Sequence, residues 1–292
     1  VPVTPVREAF RQQATACAAL GSPLIARLMT GLAERISPGT PVSDRILGWP
    51  GDPSPRVDAV PLRLAGGLDA LVLTGHDPAL ASAYAEADAD PTEAALAAMA
   101  RHPAFLLDWL KSPPQTNEVR RSAIVIATMH WLTARFGLPI TLSELGASAG
   151  LNLLCDHFAL DIHGQRFGPE APTLTLAPDW SGPLPPPGAP QVIARTGVDL
   201  APLDPVADRL RLLAYLWADQ PQRMTLTRAA LDLATTLKPQ VDRADAGDWL
   251  DRRLATLQDG TLHLVYHTIA WQYFPPATRA KALAAFDRAG AS

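Results

Sequence analysis

Cysteine is scarce: Cys17 and Cys155 are the two in 292 residues. A pair in so long a chain makes no disulfide framework. Neither lies in a CxxC or Cys/His spacing that would suit zinc, so no metal site is expected. Charge is also modest. With 18% charged residues and a net charge of −4, the chain has no general attraction to nucleic acid or to an anionic membrane. No apolar run approaches the roughly 18 residues needed to span a bilayer. The opening Val1-Pro-Val-Thr-Pro5 lacks the basic and apolar regions of a secretory signal. These absences together predict a cytoplasmic protein without membrane or nucleic-acid partners, and leave a small molecule as the expected partner. Lysine is rare beside arginine, and alanine and proline are abundant, a composition bias that carries no function. The 48% hydrophobic content suffices for a substantial core.

The first 137 residues read as helical. Phe10, Ala14, Cys17, Leu20, Leu24, Leu28 and Leu32 recur at spacings of three and four, interrupted by Gly21-Ser-Pro23, which predicts two helices. Residues 37–61 are rich in Pro, Gly and Asp and read as loop. Helices are expected again over Leu62–Leu73 and Pro91–Trp109, and in a long run ending at Phe136 that Thr116 or Asn117 would cap.

The pattern changes at Gly137. Candidate strands at Leu138–Leu145, Val192–Val198, Gln240–Arg243 and Leu262–His267 alternate with helical stretches at Leu151–His157, Ala207–Trp217, Pro221–Leu237, Ala246–Leu257 and Pro276–Ala289. Such alternation predicts a mostly parallel sheet with right-handed crossovers. The expected architecture is α/β: an all-helical domain over 1–137, then a Rossmann-like domain over 138–292. A hairpin around His163-Gly164 and the Pro-rich loop Pro183–Pro190 form an insertion at about 158–190.

The strand ending at Leu145 runs into Glu144-Leu-Gly146-Ala-Ser148-Ala-Gly150. Glycines permit a tight turn and close approach to a ligand, and a helix starting there would offer free N–H groups. The segment resembles the first motif of class I S-adenosylmethionine-dependent methyltransferases, with Ser148 in place of a middle glycine. Three later segments fall where that superfamily has its others. The resemblance implies that Asp199 holds the ribose and that Asp245 and Ala246 meet the adenine. It implies that Glu144, Gly146, Ser148 and Gly150 surround the methionine moiety of bound S-adenosylmethionine. The loop Tyr266-His-Thr-Ile-Ala-Trp271-Gln-Tyr273 would border the transferred methyl group, with His267 or Tyr266 as base and Trp271 and Tyr273 against the substrate. Packing roles compete for each: Asp199 and Asp248 suit turns or caps, and Trp271 and His267 suit a core. Asn117 and Glu118, before the last helix of the first part, read equally as ligand contacts or as a helix cap. The 49 positions from Gly150 to Asp199 exceed the roughly 20 usual in dinucleotide folds, which the insertion would explain. Complete enzymes of that superfamily continue with three more strands, so the sheet is expected to be shortened or differently completed.

Gly146-Ala-Ser148-Ala-Gly150 also fits a nucleophile elbow, with Asp199 or Asp245 and then His267 following in α/β-hydrolase order. An esterase built on Ser148 and His267 is therefore the alternative, although no strands precede the elbow and Glu144 stands where such enzymes have an apolar residue. A non-catalytic nucleotide sensor is the third reading. Over Phe10 to about Ala289 the chain further resembles a bacterial family known as domain of unknown function 2332. Cys17–Pro23, Pro114–Glu118, Glu144–Asn152, Gly197–Pro205 and Tyr266–Pro276 carry that likeness. The family implies homology without an activity.

Overall fold

The structure, a computed structural model, describes residues 4–86, 88–256 and 259–290. The chain packs as two compact units, one of residues 1–116 with 210–224 and one of 117–209 with 225–292.

The first unit is helical. Helices α1 (Pro5–Ala19) and α2 (Pro23–Arg35) bury the apolar spacing noted above, with Phe10, Cys17, Leu28 and Leu32 fully buried. Pro23 at the first turn of α2 starts that helix where its missing N–H costs nothing. Buried Arg7 of α1 donates to the carbonyls of Ala33 and Ile36, satisfying acceptors that α2 leaves open at its C-terminus. The segment 37–61 is not all loop. Thr40 and Ser43 form a capping box, with Pro41 next to the cap, and start α3 (Pro41–Leu47). Helix α4 (Val60–Leu73) crosses the core, and α5 (Pro78–Ala85) starts where Asp77 accepts from the Leu80 N–H. The expected helix 91–109 is two, α6 (Thr92–Arg101) and α7 (Pro103–Trp109), because Pro103 cannot continue the hydrogen-bond ladder.

The second unit contains α8 (Ser122–Phe136), which the sequence reading grouped with the helical part. After Gly137 takes a left-handed conformation, β1 (Ile140–Leu145) enters the sheet fully buried. Strands β2 (Phe158–Ile162), β3 (Gln165–Phe167) and β4 (Leu174–Leu176) make a small separate sheet, the expected hairpin with one more strand. Strand β5 (Val192–Asp199) returns to the main sheet. Helices α9 (Arg209–Ala214) and α10 (Pro221–Leu237) are followed by β6 (Val241–Arg243), α11 (Ala246–Leu254), β7 (Leu262–Tyr266) and α12 (Pro276–Gly290). The helix expected over 246–257 thus ends at Leu254; Leu257, like residues 1–3, lies outside the described residues.

The main sheet has the order β6-β5-β1-β7, and every neighbouring pair is parallel. The protein is therefore a mixed α/β structure with a parallel four-stranded sheet. Leu145 and Val198 pack with Trp249, Leu250, Ala282 and Ala285 of α11 and α12 on one side. One expected helix is absent. Leu151–His157 is a 3-10 segment interrupted at Leu154, so the glycine turn leads into no regular α-helix.

Candidate functional site

The sheet order fixes where a crevice opens. From β1 the chain adds β5 and then β6 on one side, and returns to place β7 on the other. The carboxyl ends of β1 and β7 thus form the topological switch point, the usual ligand position of open parallel sheets. The register sets Glu144 beside Gly197 of β5 and Tyr266 of β7, and the glycine turn starts one residue beyond Leu145.

That turn is held on all sides. Val198 O accepts from the N–H groups of Gly146 (2.8 Å) and Ala147 (3.1 Å), and Ala147 O accepts from Gly150 N–H (2.8 Å). The Asp199 carboxylate accepts from Ser148 N–H at 2.9 Å and from Ala201 N–H at 2.9 Å. Asn117 accepts from Leu151 N–H through its side-chain oxygen at 3.0 Å. Asn117 is therefore not the cap of the following helix; it reaches 34 residues along the chain to brace the turn. The expected row of free helix N–H groups is corrected by the same contacts, since Leu151 begins a 3-10 segment and its N–H is used.

Shape completes the fit. Gly146 has φ +73°, and a Cβ there would stand 2.3 Å from Ala270 Cβ, so this corner of the turn touches the loop after β7. Gly197 is similarly required: a Cβ would meet Ala147 at 2.5 Å. Ser148, without a glycine's freedom, sits at φ +54°, a conformation that strains an L-residue. Its hydroxyl is buried and has no hydrogen-bond partner.

Beneath the turn lies a group of buried polar side chains. Glu144 is wholly inaccessible, and neither carboxyl oxygen has a hydrogen-bond partner. Burial pushes its pKa well above the usual carboxyl range and the Asp199 charge adds to this, while the Asn152 amide and the Arg121 charge pull the other way. The Asn152 amide nitrogen also lacks a partner within hydrogen-bonding geometry, so desolvation outweighs it and the net shift of Glu144 is upward. Asn152 is otherwise fixed, with its side-chain oxygen accepting from Ser122 Oγ at 2.7 Å and its carbonyl from Tyr266 Oη at 3.0 Å. Burial, then the proximity of Glu144 and Cys155, pushes the Tyr266 hydroxyl well up; held as a donor, it is a poor base.

The chain matches, over residues 7–292, a family model described as an uncharacterized protein conserved in bacteria, domain of unknown function 2332. It belongs to that family. No curated protein and no solved structure matches it.

In this member of the family the remaining expected site residues divide. His267 is exposed, with its ring stacked on Trp271 at 5.9 Å and 17°. Desolvation lowers its pKa, so the imidazole is neutral at pH 7. Trp271 also packs against Phe274 and the α11–α12 core, while Tyr273 is 69% exposed. Asp245 is the cap of α11: it accepts from the N–H groups of Gly247 and Asp248, and from Thr278 Oγ1 at 2.5 Å. Ala246 is buried in the adjoining core. Glu118 accepts from Arg120, by the backbone N–H at 3.1 Å and the guanidinium at 3.0 Å. The sequence reading missed Arg121, Ser122 and Asn152. Nothing in the run Arg120-Arg121-Ser122 distinguishes the arginine that pairs with Glu118 from the one that faces the crevice. Among the described residues no group of His, Cys, Asp and Glu could hold a metal ion, and no helix is long and apolar enough to cross a membrane.

Proposed function

We propose that this protein binds S-adenosylmethionine at the switch point between β1 and β7 and transfers its methyl group to a small molecule, on a sheet that is the Rossmann-like half of a methyltransferase fold. The observation that carries the reading is the all-parallel order β6-β5-β1-β7 with the glycine turn at the carboxyl end of β1. The donor inventory narrows the ligand. The N–H groups of Gly146, Ala147, Ser148, Gly150 and Leu151 are all consumed within the protein. The turn is therefore no phosphate cradle of the kind that dinucleotides and nucleoside triphosphates need. S-adenosylmethionine has no phosphate and carries a positive sulfonium and an ammonium, which suit a crevice bordered by the Asp199 carboxylate.

The residues present fit that group. The orphaned oxygens of Glu144 and the orphaned amide of Asn152 are polar atoms that burial leaves in need of partners. Gly146, Ser148 and Gly150 would bring backbone against the methionine end. Asp199 uses one carboxylate oxygen on the Ser148 N–H of the turn and the other on the Ala201 N–H of its own loop, and keeps lone pairs for the two ribose hydroxyls. Asp245 and Ala246 would border the adenine, with Asp245 holding that corner as the α11 cap. The sulfonium supplies an activated methyl group when bound. The chain's own part is alignment, and His267, neutral at pH 7, would take the proton of the attacking substrate group on its free ring nitrogen.

The nucleophile-elbow alternative gains nothing from the geometry. The Ser148 hydroxyl is buried without a partner, and no hydrogen bond links it to His267, whereas that chemistry needs serine and base in contact. Calorimetric titration with S-adenosylmethionine and S-adenosylhomocysteine tests the proposal. Micromolar binding that an Asp199→Ala substitution weakens is expected. Absence of binding to folded protein, with turnover of a small ester lost on replacing Ser148, would overturn it in favour of the hydrolase.

A further inference from the structure

Beside the switch point a cleft of about 230 Å³ opens between the first turns of α8 and the end of β7. Ile124, Val125 and Leu264 make its walls apolar, and Arg121, Thr128, Tyr266, His267 and Thr268 complete its lining. Arg121 is the informative member. Its neighbour Arg120 is paired with Glu118, but among the described residues no ion pair or side-chain hydrogen bond engages the Arg121 guanidinium. Glu144 feels the Arg121 charge, but it is wholly buried and makes no hydrogen bond to that guanidinium. A half-buried guanidinium with five donors and no partner, set in an apolar cleft beside a neutral imidazole, matches the fork of a carboxylate.

We infer that this cleft binds the carboxylate of a small, otherwise apolar substrate, with Arg121 gripping the carboxylate and His267 next to the reacting end. This rests on the methyl-transfer reading for the role of the ligand as substrate, though the binding itself does not depend on it. A cavity of about 150 Å³ holds benzene, so this cleft has room for about nine non-hydrogen atoms, the size of a simple aromatic or branched acid. With the cofactor bound, His267 would take the proton lost by the substrate's attacking group as that group bonds to the methyl carbon, and the electron pair of the broken carbon–sulfur bond would remain on sulfur. The methionine end of the cofactor is the other source of a carboxylate within reach of Arg121, and the experiment separates the two.

Benzoate and its neutral isostere benzamide are titrated calorimetrically into the full chain and into the Arg121→Gln variant, each with and without saturating S-adenosylhomocysteine. Benzoate is expected to bind at least tenfold tighter than benzamide, as a charge-assisted pair implies. Arg121→Gln is expected to erase that preference with the fold retained in thermal melting, since no hydrogen bond or ion pair is lost. Saturation with S-adenosylhomocysteine is expected to leave benzoate binding intact. Equal affinities for benzoate and benzamide would overturn the carboxylate assignment. Displacement of benzoate by S-adenosylhomocysteine would give Arg121 to the cofactor and overturn the substrate assignment. If S-adenosylhomocysteine does not bind while benzoate does, the methyltransferase reading fails and the carboxylate site stands. Should Arg121→Gln not fold, amide shifts of His267 and Thr268 on adding benzoate but not benzamide to the unaltered protein decide the question.

Discussion

Asp199 accepts the backbone N–H of Ser148 at 2.9 Å, so the last residue of β5 holds the turn that follows β1. The carboxylate expected to meet a ribose is at the same time a brace for the glycine turn. Replacing Asp199 with Ala is expected to lower stability by about 1–3 kcal/mol, the cost of an unmade hydrogen bond to a partly buried donor. Asp199→Asn keeps an acceptor oxygen and should lose less stability. Denaturant midpoints of the two variants, set beside their cofactor affinities, separate the brace from the ligand contact. Equal stability of Asp199→Ala and the unaltered protein would remove the brace.

Ser148 makes a second, opposite prediction. At φ +54° with a buried unpartnered hydroxyl, it carries backbone strain and an unsatisfied polar group at once. Ser148→Gly relieves both and should be neutral to stabilising, by up to about 1 kcal/mol after the added freedom of the unfolded chain is counted. The same variant should retain S-adenosylmethionine binding. A clear loss of stability would show that the hydroxyl has a partner in solution.

Asn117→Ala should act far from its own helix. It leaves the buried Leu151 N–H without its acceptor, at a cost of about 1–3 kcal/mol, and it should loosen the turn and weaken cofactor binding. Full retention of both, by chemical denaturation and titration, would reduce Asn117 to a bystander.

Glu144 gives stability a dependence on pH. Burial raises its native pKa well above the ordinary value of 4.5, so the native state keeps a proton that the unfolded chain releases. Below about pH 4 both states are protonated and the group contributes no slope. As pH rises further, unfolding frees the proton and stability falls, by up to about 1.4 kcal/mol per pH unit, until the native carboxyl itself ionises. Glu144→Gln should therefore match the unaltered protein near pH 4 and exceed its stability at about pH 8. Parallel curves would mean that Glu144 is ionised in the fold.

The sequence revealed the parts whose signal is local. Strand β1, its glycine turn, the hairpin at His163-Gly164 and the strands β5 and β7 follow from apolar runs bounded by turn residues, β6 from its place in the alternation, and the helical first part from spacings of three and four. Where Pro and Gly carried two meanings the reading failed. Pro41 starts α3 beside its capping residue, and in a region rich in Pro and Gly it looks like loop. Leu151–His157 has helical spacing but takes 3-10 form, interrupted at Leu154, with its first N–H held by Asn117. Long-range partners leave no local mark. That Asn117 would serve Leu151, that Thr278 would share the Asp245 cap, and that Arg121 rather than Arg120 would stay unpaired depend on residues 30 or more positions apart, or on which way a side chain turns.

A turn whose N–H groups are already spoken for has a further consequence, for motion. Loops at binding sites commonly exchange their amide hydrogens quickly and stiffen when a ligand arrives. Here Gly146, Ala147, Ser148, Gly150 and Leu151 donate to Val198, Asp199, Ala147 and Asn117, so their amides should resist deuterium almost as the central strand does, with no ligand present. A ligand then meets a surface that is already set, little ordering is left to oppose its binding, and the conformational response is left to the loop after β7, where His267 and Tyr273 stand exposed.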